Sequence, residues 1–326
     1  MLAQRLKPGD EIRVIAPAMS MSLLKEKNIE IAEERLQKLG FIITYGKNAF
    51  VQNEFFSSSV EERIADFHEA FLDPNVKGIL TGLGGYNSNQ LLKYIDYDLV
   101  SKHPKIFCGF GDITALNLAI YTKTGLITYS GPHFSTFGMK HDFDYTLTSF
   151  LAAVTNDAPY EIEPSPYWND EPWHIEKENR KFIEQDSYLV IREGEAEGKL
   201  IGGNLSALQA LQGTEFFPSL KDAVLFIEDD GQTHPYQFER ALQSLLHVPE
   251  AGQIKALLIG RFQTASNMTE EALRMIILSK KELREIPVIA NVNFGHTHPA
   301  ATIPVGAKAE VVASRKTTNI VIWQNG

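Results

Sequence analysis

The chain has one cysteine, Cys108, in 326 residues. No intrachain disulfide is possible and no thiolate zinc site can be assembled, which fits a reducing compartment. Positive charge is also in short supply. The 31 Lys and Arg residues are outnumbered by 41 Asp and Glu, for a formal net charge of −10 with His neutral. A protein that neutralises phosphate backbones needs the opposite balance, so a nucleic acid polymer is not an expected partner. No apolar run approaches the length that spans a bilayer, and no apolar stretch precedes the charges of the first ten residues. Neither a membrane partner nor a signal peptide is expected, and the expected location is the cytoplasm. Gly and Pro occur at ordinary frequencies, 23 and 15 residues, which argues against collagen-like or disordered chains.

At about 100–200 residues per domain, the length points to two domains. β-Branched and aromatic runs alternate with amphipathic stretches through the first half. Ile12 to Ala16 reads as a strand, the pattern ending at Leu39-Gly40 as a helix with a glycine stop, and Phe41 to Tyr45 as a strand. Val60 to Leu72 and Gln90 to Ile95 read as helices, and Gly78 to Thr81 and Lys105 to Cys108 as strands. A further helix from Ile113 to about Gly125 precedes Ile127-Thr128-Tyr129. This rhythm predicts an α/β domain with a mostly parallel sheet flanked by helices over residues 1–155. Residues 156–195 carry Pro159, Pro164, Pro166, Pro172, Tyr167, Trp168 and Trp173, the pattern of a linker with a possible aromatic lid. Residues 196–326 read as a second α/β domain rich in strands. Asn204 caps a short helix there, and Val224 to Ile227, Ala256 to Ile259, Glu310 to Ala313 and Asn319 to Ile322 form strands.

Four strand ends carry polar or glycine residues, where open α/β sheets place ligands. Thr81 to Asn89, with Gly82, Gly84 and Gly85, leaves room for a ligand beside free amides, but an ordinary strand-to-helix turn fits equally well. Phe107-Cys108-Gly109-Phe110-Gly111-Asp112 has the layout of a nucleophile elbow, yet its central position, Gly111, has no side chain. By its residues alone it reads as a tight turn with Asp112 capping the next helix. Glu228-Asp229-Asp230 ends a buried strand and suits a cation, a histidine partner or a solvated loop. His296 and His298 in Gly295-His296-Thr297-His298-Pro299 fit a catalytic base, a metal pair or loop histidines.

Taken in order, these segments resemble the LD-carboxypeptidase and microcin-immunity family of serine peptidases. The likeness runs through Leu6-Lys7-Pro8-Gly9-Asp10, Gly84-Gly85-Tyr86, Gly109 to Leu116, Gly202-Gly203-Asn204-Leu205, Phe226 to Asp229 and Gly295 to Pro299. It implies a Ser–His–Glu triad in which Glu228 and His296 are retained and Gly111 occupies the serine position. It also implies an oxyanion hole made by the amides of Gly85 and Asp112, substrate contacts from Asn87, Ser88, Asn204, Trp168 and Trp173, no metal or other cofactor, and a homodimer. Without the serine, binding with little hydrolysis is expected, and neither Ser88 nor Cys108 is placed in the sequence to substitute for it. Glycine also relieves the strain of the elbow, on the order of 1–3 kcal/mol.

Members that trim murein peptides usually carry arginine before the Gly-Gly pair, suited to a free carboxylate. This chain has Leu83. With the Tyr167 to Trp173 segment, that favours the microcin-immunity branch, whose substrate is a peptidyl-aminoacyl nucleotide and whose aromatic segment can stack on a base. The alternatives are a murein tetrapeptide LD-carboxypeptidase of cell-wall recycling and a noncatalytic protein that sequesters a small peptide or peptidyl nucleotide. A metal hydrolase built on His296, His298 and the acids at 228–230 is the least favoured.

Overall fold

A computed structural model describes residues 1–171, 181–185 and 187–324. The first sheet has six strands in the order Ile303–Val305, Thr128–Ser130, Ile106–Cys108, Val76–Thr81, Glu11–Ile15 and Ile42–Tyr45. Its strands are parallel except Ile303–Val305, which runs antiparallel to Thr128–Ser130. The second has eight strands, of which Gly194–Asn204, Ala223–Glu228, Ala256–Gly260 and Val288–Val292 are successive parallel neighbours, with antiparallel strands on both sides. The mixed α/β architecture with a parallel first sheet and a strand-rich second half is as expected. Strand Ile303–Val305 is the exception to a simple division at residues 156–195: it lies late in the chain but completes the first sheet.

Local sequence explains the helices. Val60–Leu72 begins with a reciprocal capping box between Ser59 and Glu62 and buries Phe67, Ala70 and Phe71. Phe67 meets Phe107 of the neighbouring strand edge to face at 5.9 Å. Pro235–Leu246 has proline in its first turn and buries Phe238, Leu242 and Leu245. The expected helix at Gln90 to Ile95 is instead a tight 3₁₀ turn, Ser88–Leu91, followed by the helix Tyr97–Lys102, whose cap is the Asp96 carboxylate. An N-cap that satisfies orphan amides decides the start more strongly than a weak apolar period.

The helix Thr114–Thr124 is buried at every position from Thr114 to Ile120. Buried on every side over these two turns, with Thr114 and Asn117 hydrogen-bonded, it packs between elements of both sheets. It ties them at one point by a hydrogen bond, from the Asn204 amide to Thr114 Oγ1 at 2.9 Å. The ends of strands from both sheets therefore meet above the turn that starts this helix.

Candidate active site

Strand Ile106–Cys108 is fully buried and ends in Gly109-Phe110, after which the chain reverses into a 3₁₀ turn, Gly111–Ile113. Gly111 has φ +61°, the left-handed region that L side chains seldom adopt. A Cβ built on Gly111 would lie 3.5 Å from His296 Nε2 and 3.6 Å from Cε1 and, its chain neighbours apart, would meet nothing else within 4 Å among the described residues. The sequence turn is thus an elbow aimed at an imidazole.

Asp112 does not cap the helix, contrary to the sequence reading. Because the 3₁₀ turn intervenes, its carboxylate reaches sideways and accepts from the Ser88 amide at 2.9 Å, while Ser88 Oγ donates to the Asp112 carbonyl at 2.8 Å. Burial pushes the Asp112 carboxyl above its ordinary range. This two-point clamp joins the elbow to the glycine-rich loop carrying Gly85. Arg63, almost wholly buried, secures the same loop by donating to the Pro17 and Asn87 carbonyls at 3.1 and 3.2 Å and to Gln90 Oε1 at 2.6 Å.

The second sheet supplies a carboxylate for the His296 imidazole. Asn204 and Glu228 are register partners at the ends of adjacent parallel strands. Asn204 Nδ2 donates to Glu228 Oε1 and Asp229 Oδ1, both at 3.2 Å, while its Oδ1 caps the helix Leu205–Gln209 by accepting from the Ala207 amide. Glu228 Oε2 lies 2.6 Å from His296 Nδ1, leaving Nε2 toward Gly111. Gly295 permits this approach: with φ +95°, a Cβ there would fall 2.5 Å from Glu228 Oε2. Burial alone drives the His296 imidazole down, but the Glu228 carboxylate and its hydrogen bond, with Asp230 and Asp229 behind, overcome it and raise the pKa to about 9.

Two adjoining cavities of about 370 Å³ each share Gly85, Gly111, Asp112 and His296 in their walls. One continues along Asn204, Ser206, Asp229 and Asp230. Asp229 is itself held by Ser206 Oγ at 2.9 Å, and burial followed by the neighbouring Glu228 charge raises its pKa. The other passes Leu83, Phe110, His133 and Asp170. His133 packs on Phe110 and its Nδ1 lies 2.7 Å from Thr81 Oγ1; burial, and then the charge of His296, lower its pKa to about 3, so the ring is neutral at pH 7.

The structure therefore brings Gly111, Glu228, His296, Gly85, Asp112 and Asn204 together. It does not put Asn87, Ser88 or Trp168 in these walls. The tight turn at 88–91 buries Ser88 against Asp112 and turns Asn87 to Arg63, so Tyr86 and Asn89 face the cavity in their stead. Trp168 sits in a two-stranded ribbon with Ile183–Glu184, under the Arg261 guanidinium, and lines a different cavity. Trp173 lies outside the described residues. Ser206 and His133 escaped the sequence reading, although His133 follows strand Thr128–Ser130, the kind of position that marks ligand sites. Among the described residues, no group of three or more His, Cys, Asp or Glu is arranged to hold a metal ion, and no helix is long and apolar enough to cross a membrane.

Comparisons with known proteins agree on one family. Residues 12–131 match the LD-carboxypeptidase N-terminal domain and residues 197–311 the LD-carboxypeptidase C-terminal domain. A putative carboxypeptidase of Bacillus subtilis (strain 168), YocD, is 52% identical over 322 residues, 99% of each chain. Among solved structures, a MccF-like protein from Bacillus anthracis str. Ames superposes with a TM-score of 0.98 at 50% identity over 100% of both chains. The microcin C7 self-immunity protein MccF in complex with aspartyl sulfamoyl adenosine gives 0.89 at 30% identity, over 100% of this chain and 99% of that one. The chain belongs to the LD-carboxypeptidase family of serine peptidases, the family that includes MccF-like proteins.

Proposed function

We propose that this protein is a peptidase of the microcin-immunity kind that recognises a peptidyl-aminoacyl nucleotide and, because Gly111 replaces the nucleophile, binds it with little turnover of the amide. The observation that carries this reading is the 3.5 Å between a Cβ at Gly111 and His296 Nε2, with His296 Nδ1 held by Glu228 at 2.6 Å. A serine hydroxyl, one C–O bond further out, comes within hydrogen-bond reach of that nitrogen. Nε2 would take its proton, Glu228 would fix the tautomer and stabilise the imidazolium, and the Gly85 and Asp112 amides would receive the negative charge of the tetrahedral intermediate.

The nucleotide is favoured over a murein peptide by Leu83, an apolar side chain on the cavity wall where a substrate carboxylate would otherwise need a cation. The ligand held by MccF, aspartyl sulfamoyl adenosine, has the matching chemistry. A purely sequestering protein is the second reading, favoured by Gly111 itself. We place the protein in the cytoplasm as a homodimer, for which size-exclusion chromatography with light scattering is the check.

The experiment is Gly111→Ser beside the chain as it stands, each offered a peptidyl-adenylate phosphoramidate and a murein tetrapeptide. Cleavage of the nucleotide by the serine variant, with tight binding and little cleavage by the glycine chain, is the expected result. Cleavage of the tetrapeptide alone moves the protein to cell-wall recycling, and no cleavage of either overturns the serine-site reading.

A further inference from the structure

We propose that water takes the nucleophile's role in this chain: His296, held by Glu228, drives direct attack of a water molecule on activated acyl groups bound over Gly111, namely esters and acyl-phosphate anhydrides. This rests on the reading of Gly111, His296 and Glu228 as a serine-peptidase site. It adds an activity that does not require the serine.

Four observations carry it. Apart from its chain neighbours, a Cβ built on Gly111 would meet only His296 Nε2 and Cε1 within 4 Å among the described residues, so the gap between the Gly111 backbone and the base is open to a water molecule standing off the backbone and beside Nε2. The base is already oriented, its Nδ1 bound to Glu228 at 2.6 Å and its Nε2 toward the elbow. The flanking cavities, about 370 Å³ each, are roomy enough for water, and the one that runs past Asn204, Ser206, Asp229 and Asp230 supplies it with polar partners. Finally, the two substitute nucleophiles weighed from the sequence are engaged elsewhere. Ser88 Oγ donates to the Asp112 carbonyl at 2.8 Å, and the buried Cys108 thiol is 3.5 Å from the Pro132 carbonyl.

In the step itself, the water oxygen bonds to the acyl carbon while one of its protons passes to His296 Nε2. The carbonyl π pair moves onto oxygen, beside the amides of Gly85 and Asp112. Collapse of the tetrahedral adduct breaks the bond to the leaving oxygen, which takes the proton back from the imidazolium, releasing a carboxylic acid and an alcohol or phosphate. No bond to the protein forms. Activated acyl groups are the substrates because their leaving oxygens depart readily, so the weaker nucleophile suffices.

The test uses the full chain and p-nitrophenyl acetate, with aspartyl adenylate as a second probe. Expected are hydrolysis on the order of 10²-fold or more above buffer, no initial burst of p-nitrophenol, no labelling by a fluorophosphonate, and at least about a tenfold loss in His296→Gln and in Glu228→Gln. Gly111→Ala, whose methyl intrudes into the gap between the elbow and Nε2, should lose as much while retaining its circular dichroism spectrum; should it not fold, the two other variants decide. Hydrolysis indifferent to His296→Gln, or a burst from the glycine chain, overturns the water route. If Gly111→Ser turns over with a burst while the glycine chain shows no His296-dependent hydrolysis, the water route fails and the serine-site reading stands. If the serine variant is inert to both substrate and fluorophosphonate, that reading falls and the inference with it.

Discussion

Glu228 and His296 come from different segments of the second half of the chain, yet Oε2 of one and Nδ1 of the other lie 2.6 Å apart beside Gly295, a residue whose missing side chain leaves room for the contact. The carboxylate therefore favours the protonated imidazole, and the expected pH dependence follows from this contact.

Catalysis should rise with pH. A general base must be unprotonated, and the Glu228 carboxylate, working against burial, holds His296 protonated up to about 9. In Gly111→Ser, kcat/KM is expected to increase about tenfold per pH unit from neutrality and to level off near pH 9. In Glu228→Gln on that background the plateau should begin at lower pH, with a maximum lower by about 10⁴-fold if it follows well-studied triads. A profile that is flat between pH 6 and 9 would argue against His296 as the base.

Placing serine at position 111 should cost stability. Gly111 occupies φ +61°, so Gly111→Ser is expected to lower the unfolding free energy by about 1–3 kcal/mol while raising amide hydrolysis by several orders of magnitude. Urea unfolding of the two proteins, at a pH where both are folded, measures the first effect; equal midpoints and equal slopes would contradict it.

Two histidines should shape the pH dependence of stability in opposite directions. Burial, and then the charge of His296, hold His133 down to about 3 from an ordinary value of 6.5. Between these values the unfolded chain binds a proton that the folded chain does not. That contribution is fully present above about pH 6.5 and is lost as the pH falls toward 3. His296, held up to about 9, behaves inversely. Its contribution is fully present below about pH 6.5 and disappears as the pH rises through 9. Chemical denaturation across pH 4–10 should show both limbs, with His296→Gln flattening the alkaline one.

Asn204 joins three functions: it caps a helix and donates to both Glu228 and Asp229. Asn204→Ala removes the cap and leaves two buried carboxylates short of a donor. A loss of about 1–3 kcal/mol is expected, with weaker hydrolysis in the Gly111→Ser background. Asn204→Asp keeps the cap but adds a third negative charge; it should recover part of the stability, and not the activity, in parallel unfolding and kinetic measurements.

The strands and most helices were legible because their signals are local. Val60 to Leu72 carries its own capping box and apolar period, and Ala223 to Glu228 its own buried run. The glycine elbow, the terminal glutamate of a strand and the histidine loop could be picked out the same way, since each sits at a strand end. Where side chains depend on distant partners the local signals were silent: Asn87, Ser88 and Trp168, expected as ligand contacts, face Arg63, Asp112 and Arg261.

What the amino-acid order determined alone was the alternation of elements and the lack of a nucleophilic side chain at position 111, since both are properties of short stretches of covalent chain. Whether Glu228-Asp229-Asp230 was a solvated loop or a histidine's partner, and whether His296 faced Gly111, depended on groups far apart in sequence. Only the tertiary structure decided these contacts, by laying Asn204 and Glu228 side by side in parallel register and drawing the second sheet onto the helix at Thr114. Interactions that fall off over a few ångströms leave no trace in the order of residues until folding brings the atoms within that range.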